Sequence, residues 1–199
     1  MFSEEDPDYV VAVLIDTSES FQDLMTEQGE AFKYVMSLSD RYFRQRIGTD
    51  DQFILAQVSD DPDTTFLWQG TPMQLRRQFP NPQAFSAFLK SKANPGQSHL
   101  HESIVTTVDY MLAQSSVQSR KAVSALFILS DMVDRGPDSD QSRTKAVESL
   151  RRLRESRGTF GCYFISASVF QTWLRALKDA GIDYQIAPGF KQPPMPTFD

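Results

Sequence analysis

The sequence predicts an α/β protein with a doubly wound, mostly parallel central sheet, helices on both faces and one antiparallel strand at the edge. Short apolar runs with the composition of buried strands alternate with longer segments whose apolar side chains recur at helical spacing. Strands that alternate with helices of this length form parallel sheets joined by crossover helices. One turn-rich connection between two of the strands predicts the antiparallel pair.

The N-terminal part of the chain supplies the first strand, the first helix and the antiparallel pair. Residues 8–15 (DYVVAVLI) form a near-continuous apolar run, as in a strand that is covered on both faces. Residues 21–47 carry apolar side chains three, four or seven positions apart and predict one long helix. Residues 52–59 and 64–69 are predicted strands on either side of the turn at 60–63 (DDPD), so we expect them to pair as a hairpin.

The remaining elements continue the alternation of helix and strand. Helices are predicted at residues 82–92, 100–113, 142–155 and 169–180, and strands at residues 122–129, 160–166 and 182–186. The last residues are rich in proline and predict an extended tail. We therefore expect one domain at residues 8–187, followed by a tail at residues 188–199.

Composition and charge narrow the function classes. The net charge of −6 and the pI of about 5.0 argue against a general nucleic-acid or anionic-membrane binder. No apolar stretch approaches the roughly 18–20 residues that cross a bilayer, and the acidic start lacks the pattern of a signal peptide. These features predict a cytoplasmic protein. The lone Cys162 lies in an apolar run and is expected to be a small buried side chain.

Oxygen-bearing side chains follow or precede elements that meet at one edge of the predicted sheet. Asp16, Ser18 and Ser20 follow the first strand, Ser98 precedes a helix, and Asp131 closes the strand at residues 122–129. Ligands of open α/β sheets bind beyond the carboxyl ends of the strands. Hard cations such as Mg²⁺ take oxygen ligands, and two carboxylates balance the double charge. These five residues therefore predict a divalent metal site.

The DxSxS pattern at residues 16–20, together with Ser98 and the strand that ends in Ser130-Asp131, resembles the metal-ion-dependent adhesion site of von Willebrand factor A domains. The resemblance spans nearly the whole chain and agrees with the order of strands and helices. It implies that the five oxygen-bearing residues hold Mg²⁺, Mn²⁺ or Ca²⁺, with the two carboxylates acting directly or through water. It also implies an open position that accepts a Glu or Asp of a partner protein, for example within an assembly of the AAA+ ATPase type.

The sequence departs from the family pattern at two positions. Ser98 stands where the family usually has Thr. Serine keeps the hydroxyl but lacks the β-methyl group that restricts the side-chain rotamers of threonine. Met132 stands where the family usually has Gly, so we expect a crowded loop or an apolar rim at the site. The loop at residues 131–140 is acidic and is expected to be solvated, with Asp134 as the residue in it best placed to support the site from outside the ligand set. His99 and His101 diverge on a predicted helix and cannot form a metal-binding pair, so we expect them to contact a partner or, more simply, to be exposed at the surface.

The leading hypothesis is a metal-dependent protein-binding module without catalysis, and other interpretations stay open. Ser20 and Asp23 could form an ordinary helix cap. A second interpretation is a Mg²⁺-dependent phosphohydrolase in which Asp16 attacks phosphorus and Asp131 helps to hold the ion. A third is a scaffold of the same fold that binds partners without a metal.

Overall fold

The computed structural model describes residues 8–18, 21–26, 28–46, 49–92, 98–136, 139–182 and 185–188. In these residues one sheet contains strands β1 (Asp8–Ile15), β2 (Gln52–Gln57), β3 (Phe66–Gly70), β4 (Ala122–Leu129), β5 (Thr159–Ile165) and β6 (Gln185–Pro188). The strand order is β3-β2-β1-β4-β5-β6, and every neighbouring pair is parallel except the β2–β3 edge pair. The predicted fold class is therefore confirmed.

Helices cover both faces of the sheet. They are α1 (Glu30–Arg46), α2 (Pro72–Gln78), α3 (Pro82–Lys92), α4 (Leu100–Leu112), α5 (Ser115–Gln118), α6 (Ser139–Glu155) and α7 (Ala167–Asp179). One apolar core lies between the sheet and helices α4 to α7, and a second lies between the sheet and helices α1 to α3. Among the described residues, no helix combines the length and the apolar character needed to cross a membrane.

The central strand β1 contributes to both cores because successive side chains of a strand point to opposite faces. Ala12 and Leu14 lie in the core under α4, α6 and α7, whereas Val13 and Ile15 lie in the core under α1. All four side chains are fully buried. Full burial of a Val, Leu or Ile side chain contributes about 1.5–3 kcal/mol, which fixes the position of this strand and of the loop that follows it.

The structure corrects the predicted first helix and adds two short helices. A 3₁₀ turn at Gln22–Met25 precedes α1, which begins only at Glu30. Gly29 lies between them, and a side chain there would collide with the carbonyl group of Leu24. Helices α2 and α5 were not predicted. The N-terminus of α2 carries a capping box formed by Thr71 and Gln74, a signal that the sequence does contain.

A buried ion pair joins α1 to the amino-terminal edge of the sheet. Asp51 is fully buried just before β2, and its carboxylate accepts hydrogen bonds from Nε and Nη2 of Arg46 at 2.9 and 3.2 Å. The same carboxylate accepts the backbone N–H of Tyr9 and the hydroxyl of Tyr42, each at 2.9 Å. These bonds lie at the end of the strands opposite to the predicted metal site.

Candidate metal centre

Asp16 occupies a fully buried position directly after β1. Its backbone N–H donates to the carbonyl of Leu129 at 2.9 Å, which continues the pairing with β4. Oδ1 accepts the backbone N–H of Ser18 at 2.9 Å, and Oδ2 accepts the hydroxyl of Ser130 at 2.7 Å. The carboxylate is therefore held in one orientation at the carboxyl edge of the sheet.

Two carboxylates lie close enough to influence each other at this edge. Burial is the main cause that raises the pKa of Asp16 above its ordinary value, and the nearby carboxylate of Asp131 raises this pKa further. Hydrogen bonds from Ser18 and Ser130 lower the pKa and oppose the rise. A bound cation would offset both the burial and the repulsion, since it adds positive charge beside the two carboxylates.

Asp131 is half-buried and its loop is held on two sides. Oδ1 of Asp131 accepts the backbone N–H of Val133 at 2.9 Å, and its carbonyl oxygen accepts the N–H of Ser166 at the start of α7. Ser18 is buried, with 4% of its surface exposed. Ser20, which was predicted as a ligand together with Ser18, lies outside the described residues.

The first loop of the site is also tied to the β2–β3 hairpin. The hydroxyl of Thr17 donates to Oε1 of Gln57 at 3.2 Å, and the side-chain amide of Gln57 donates to the carbonyl of Thr64 at 2.9 Å. The hairpin continues to α4 through Ser59, whose backbone N–H donates to the hydroxyl of Ser103. These buried bonds fix the loop after β1 relative to α4.

Ser98 is buried immediately before α4, and its hydroxyl has no hydrogen-bond partner among the described residues. The carbonyl of Ser98 accepts the N–H of Arg135 at 2.8 Å, so Ser98 is bonded to the loop that begins with Ser130 and Asp131. The same loop is bonded to Asp16 through Ser130. One loop therefore connects Asp16, Asp131 and Ser98.

These residues fit a hard divalent cation. Two carboxylates would balance its charge, and serine hydroxyls are neutral oxygen ligands of the kind that Mg²⁺ and Mn²⁺ accept. A buried hydroxyl without a partner costs free energy unless something accepts or donates to it. In the part of the chain that the structure describes, no group of three or more His, Cys, Asp or Glu side chains gathers around one point. A metal here would depend on hydroxyl oxygens as well as on carboxylates.

Met132 adopts the left-handed backbone conformation, with a φ of 62°. A glycine at this position would take that conformation without strain. The prediction of an apolar rim is wrong, because the Met132 side chain is 1% exposed and belongs to the core under α4, α6 and α7. Its backbone is held at both ends, since the N–H donates to the Ser130 hydroxyl and the carbonyl accepts the indole N–H of Trp173.

The expectation that His101 is exposed is also wrong. His101 is 2% exposed, and its ring makes an edge contact with Trp173 at 5.5 Å between centroids. Nδ1 lies 2.7 Å from the Ser142 hydroxyl and 3.4 Å from Oδ2 of Asp134. Because the serine and the carboxylate approach the same nitrogen, this group cannot act as a Ser-His-Asp relay, in which the two partners use different nitrogens.

Sequence reasoning assigned no role to Ser130. The register pairs Ile15 with Leu129, so the next residues of the two parallel strands, Asp16 and Ser130, emerge side by side. Counting from the paired apolar runs could have found this contact. The contact of Asp134 with His101 depends on the path of a loop, and periodicity carries no signal for it.

The structure is similar to several solved structures, although the sequence matches no protein-family model and none of the curated proteins is similar to it in sequence. One is the manganese-loaded TRAP protein of Plasmodium vivax, with a TM-score of 0.56 and 15% identity over 92% of this chain and 69% of that chain. A second is the pilus adhesin SpaC of Lactobacillus rhamnosus GG, with a TM-score of 0.60 and 12% identity over 92% of this chain and 28% of that chain.

A third similar structure is proximal thread matrix protein 1 of the mussel byssus, with a TM-score of 0.56 and 14% identity over 93% of this chain. The present chain spans 45% of the length of that protein. At these identities the comparisons establish the fold. The chain has a fold of the von Willebrand factor A type, in agreement with the strand order and the single antiparallel edge strand.

Proposed function

We propose that this chain is a protein-binding module that holds a divalent cation at the carboxyl edge of its sheet and presents it to an acidic side chain of a partner protein. The observation that carries the proposal is the buried hydroxyl of Ser98, which finds no protein partner within the described residues. Leaving a buried donor or acceptor unpaired costs about 1–3 kcal/mol. A cation that takes the oxygen lone pair would remove part of this cost.

The carboxylates of Asp16 and Asp131 and the hydroxyls of Ser18, Ser20 and Ser98 would hold the ion. This oxygen-only set favours Mg²⁺ or Mn²⁺, with Ca²⁺ as an alternative. When bound, the ion supplies a Lewis-acid position that accepts a carboxylate oxygen from outside the chain. The similar fold of a manganese-loaded protein supports the proposed metal binding, and the similar fold of a pilus adhesin supports the proposed protein binding.

The partner is proposed to be a protein that offers Glu or Asp, and an AAA+ ATPase-type assembly stays a prediction from the family resemblance. The net charge of −6 disfavours a nucleic-acid or anionic-membrane partner. The cytoplasm stays the predicted compartment. The phosphohydrolase alternative is disfavoured by the complete burial of Asp16, because a nucleophile must reach the phosphorus that it attacks.

Replacement of Ser98 by Ala tests the metal site with little cost to the fold. The hydroxyl makes no hydrogen bond in the described part of the structure, so its removal should leave the free energy of unfolding unchanged or slightly higher. Mn²⁺ affinity, measured by titration calorimetry, should fall at least about 10-fold, the lower end of the effect of losing an outer-shell partner. Ser86→Ala is the matched control, because Ser86 is also buried with an unpaired hydroxyl but lies on α3.

A folded Ser98→Ala variant that binds Mn²⁺ as tightly as the wild type would reject the metal site and favour the metal-free scaffold. The partner is tested by affinity capture from native lysate with wild-type chain, Ser98→Ala and Ser86→Ala. Proteins that are captured by wild type and Ser86→Ala, and that are lost with chelator or with Ser98→Ala, support the proposal. Capture that is the same with and without chelator contradicts it.

A further inference from the structure

The N-terminus of α4 is capped by a residue from another loop. The side chain of the N-cap residue His99 makes no capping hydrogen bond to the backbone of the helix. Instead, the backbone N–H of His101, in the first turn of α4, donates to Oδ1 of Asp134 at 3.0 Å. A side-chain oxygen that accepts an N–H of the first turn is what an N-cap residue normally provides, and a carboxylate is favoured at this positive end of the helix.

Ser98 is well placed by sequence to make this bond but does not make it. A serine hydroxyl commonly accepts a backbone N–H two or three residues later in the chain, and His101 is three residues after Ser98. The Ser98 hydroxyl is nevertheless unpaired in the described structure, and Asp134 accepts the His101 N–H in its place.

Asp134 is itself firmly held. Only 2% of its side-chain surface is exposed, and Oδ2 accepts the N–H of Gly136 at 3.1 Å. The next residue, Arg135, donates its N–H to the carbonyl of Ser98. The Asp134 loop is therefore bonded to the residues on both sides of the start of α4.

We propose that Asp134 is a positioning residue that satisfies the N-terminus of α4 and so leaves the Ser98 hydroxyl available to the cation. This inference rests on the proposed function. Without the Asp134 carboxylate, the N–H of His101 becomes a donor that competes for the Ser98 hydroxyl and turns it away from the ion. Asp134 would thus act through Ser98, whereas Asp131, three residues earlier, is one of the two carboxylates proposed to hold the ion.

The test measures Mn²⁺ dissociation constants of the full chain by titration calorimetry. Asp134→Ala is expected to weaken binding about 10- to 100-fold, the range for the loss of an outer-shell partner. Asp134→Asn keeps an acceptor oxygen for the His101 N–H and should lose less than about 10-fold. Thr71→Ala is the matched control, because it removes the N-cap of α2 and should leave Mn²⁺ binding unchanged.

A double-mutant cycle separates positioning from a general loss of structure. In the Ser98→Ala background, Asp134→Ala should have almost no further effect on Mn²⁺ affinity, because the hydroxyl that it protects is gone. Equal additional weakening with and without the Ser98 hydroxyl would overturn the inference. Equal weakening by Asp134→Asn and Asp134→Ala would also overturn it, since the charge and not the hydrogen bond would then be responsible.

Two further outcomes are distinguishable. If Asp134→Ala does not fold, Asp134→Ser takes its place in the cycle, because its short side chain stays polar but cannot accept both bonds. A wild-type chain that fails to bind Mn²⁺ rejects the proposed function and this inference together. A wild-type chain that binds Mn²⁺ no more tightly than Asp134→Ala rejects the inference alone.

Discussion

The hydroxyl of Ser130 donates to Oδ2 of Asp16 at 2.7 Å and joins the ends of the two central strands. The same oxygen accepts the backbone N–H of Met132 at 2.8 Å. One serine side chain therefore serves a buried carboxylate and a buried N–H. Because β1 and β4 are parallel and in register up to the preceding residue pair, this contact follows directly from the sheet.

Ser130→Ala is expected to lower the free energy of unfolding by about 1–3 kcal/mol, the cost of leaving buried polar groups unpaired. The carboxylate of Asp16 loses a donor, and the N–H of Met132 loses its acceptor. Urea denaturation of the metal-free chain measures the change.

Ser124→Ala provides the matched control, because Ser124 lies on β4, the strand that Ser130 directly follows. Ser124 is fully buried, and its hydroxyl has no partner in the described residues. Its removal should leave stability unchanged or raise it, because a buried hydroxyl without a hydrogen bond is unfavourable. If both variants lose the same stability, the hydrogen bonds of Ser130 are not the reason for its effect.

The sheet could be predicted from sequence because its strands are buried on both faces. Residues of β1 and β4 are almost all apolar. In the segments that connect the strands, apolar residues recur at the spacing of an amphipathic helix. The antiparallel edge pair was also predictable, because residues 60–63 (DDPD) are of the types that favour a tight turn. The break before α1 was not, because it depends on the close approach of Gly29 to Leu24.

The candidate site could be predicted only in part. Asp16 and Asp131 follow apolar strands, so their positions at the sheet edge follow from the strands themselves. The roles of Asp134 and His101 depend on how a loop crosses the start of α4, which no residue pattern specifies. The burial of Met132 likewise could not be deduced, because a φ of 62° turns its side chain into the core.

Asp51→Ala should destabilise the chain without affecting Mn²⁺ binding. Its removal leaves the guanidinium of Arg46, whose side chain is 6% exposed, without its carboxylate. Breaking a buried ion pair in this way costs about 3–5 kcal/mol. The metal site lies at the other end of β1, roughly 20 Å away for a strand of this length.

Asp40→Ala is the comparison for Asp51→Ala. Asp40 pairs with Arg44 on α1, but both side chains are largely exposed, so the loss should be below about 1 kcal/mol. Urea denaturation and Mn²⁺ titration of both variants test these expectations. A large fall in Mn²⁺ affinity for Asp51→Ala under conditions where the variant remains folded would contradict the independence of the two ends of the sheet.

His101 should make stability depend on pH. Burial is the main cause that lowers the pKa of His101 below its ordinary value, with Asp134 and Asp140 opposing the shift and Arg143 reinforcing it. The unfolded chain, with a histidine pKa of about 6.5, therefore binds the proton more readily than the folded chain. The free energy of unfolding should fall as the pH drops below about 6.5 towards the lower pKa of the folded state.

His101→Asn isolates this contribution, because the asparagine side chain can still bond the Ser142 hydroxyl but does not titrate in this range. Urea denaturation of both proteins across this pH window gives the difference in stability at each pH. The advantage of the wild type should shrink as the pH falls. A constant difference would mean that His101 keeps its ordinary affinity for the proton when the chain is folded.

The left-handed backbone conformation of Met132 predicts that glycine is tolerated unusually well there relative to alanine. Met132→Ala and Met132→Gly both remove a buried side chain, which costs about 2–5 kcal/mol for Met→Ala. Only glycine also relieves the left-handed strain, worth about 1–2 kcal/mol for a residue with a Cβ atom. Met111, fully buried in α4, is the matched control, because there glycine is about 1 kcal/mol worse than alanine.

The penalty of glycine relative to alanine, measured by urea denaturation, should be smaller at position 132 than at position 111 by about 1–2 kcal/mol. Equal penalties at the two positions would show that the backbone of Met132 is not strained.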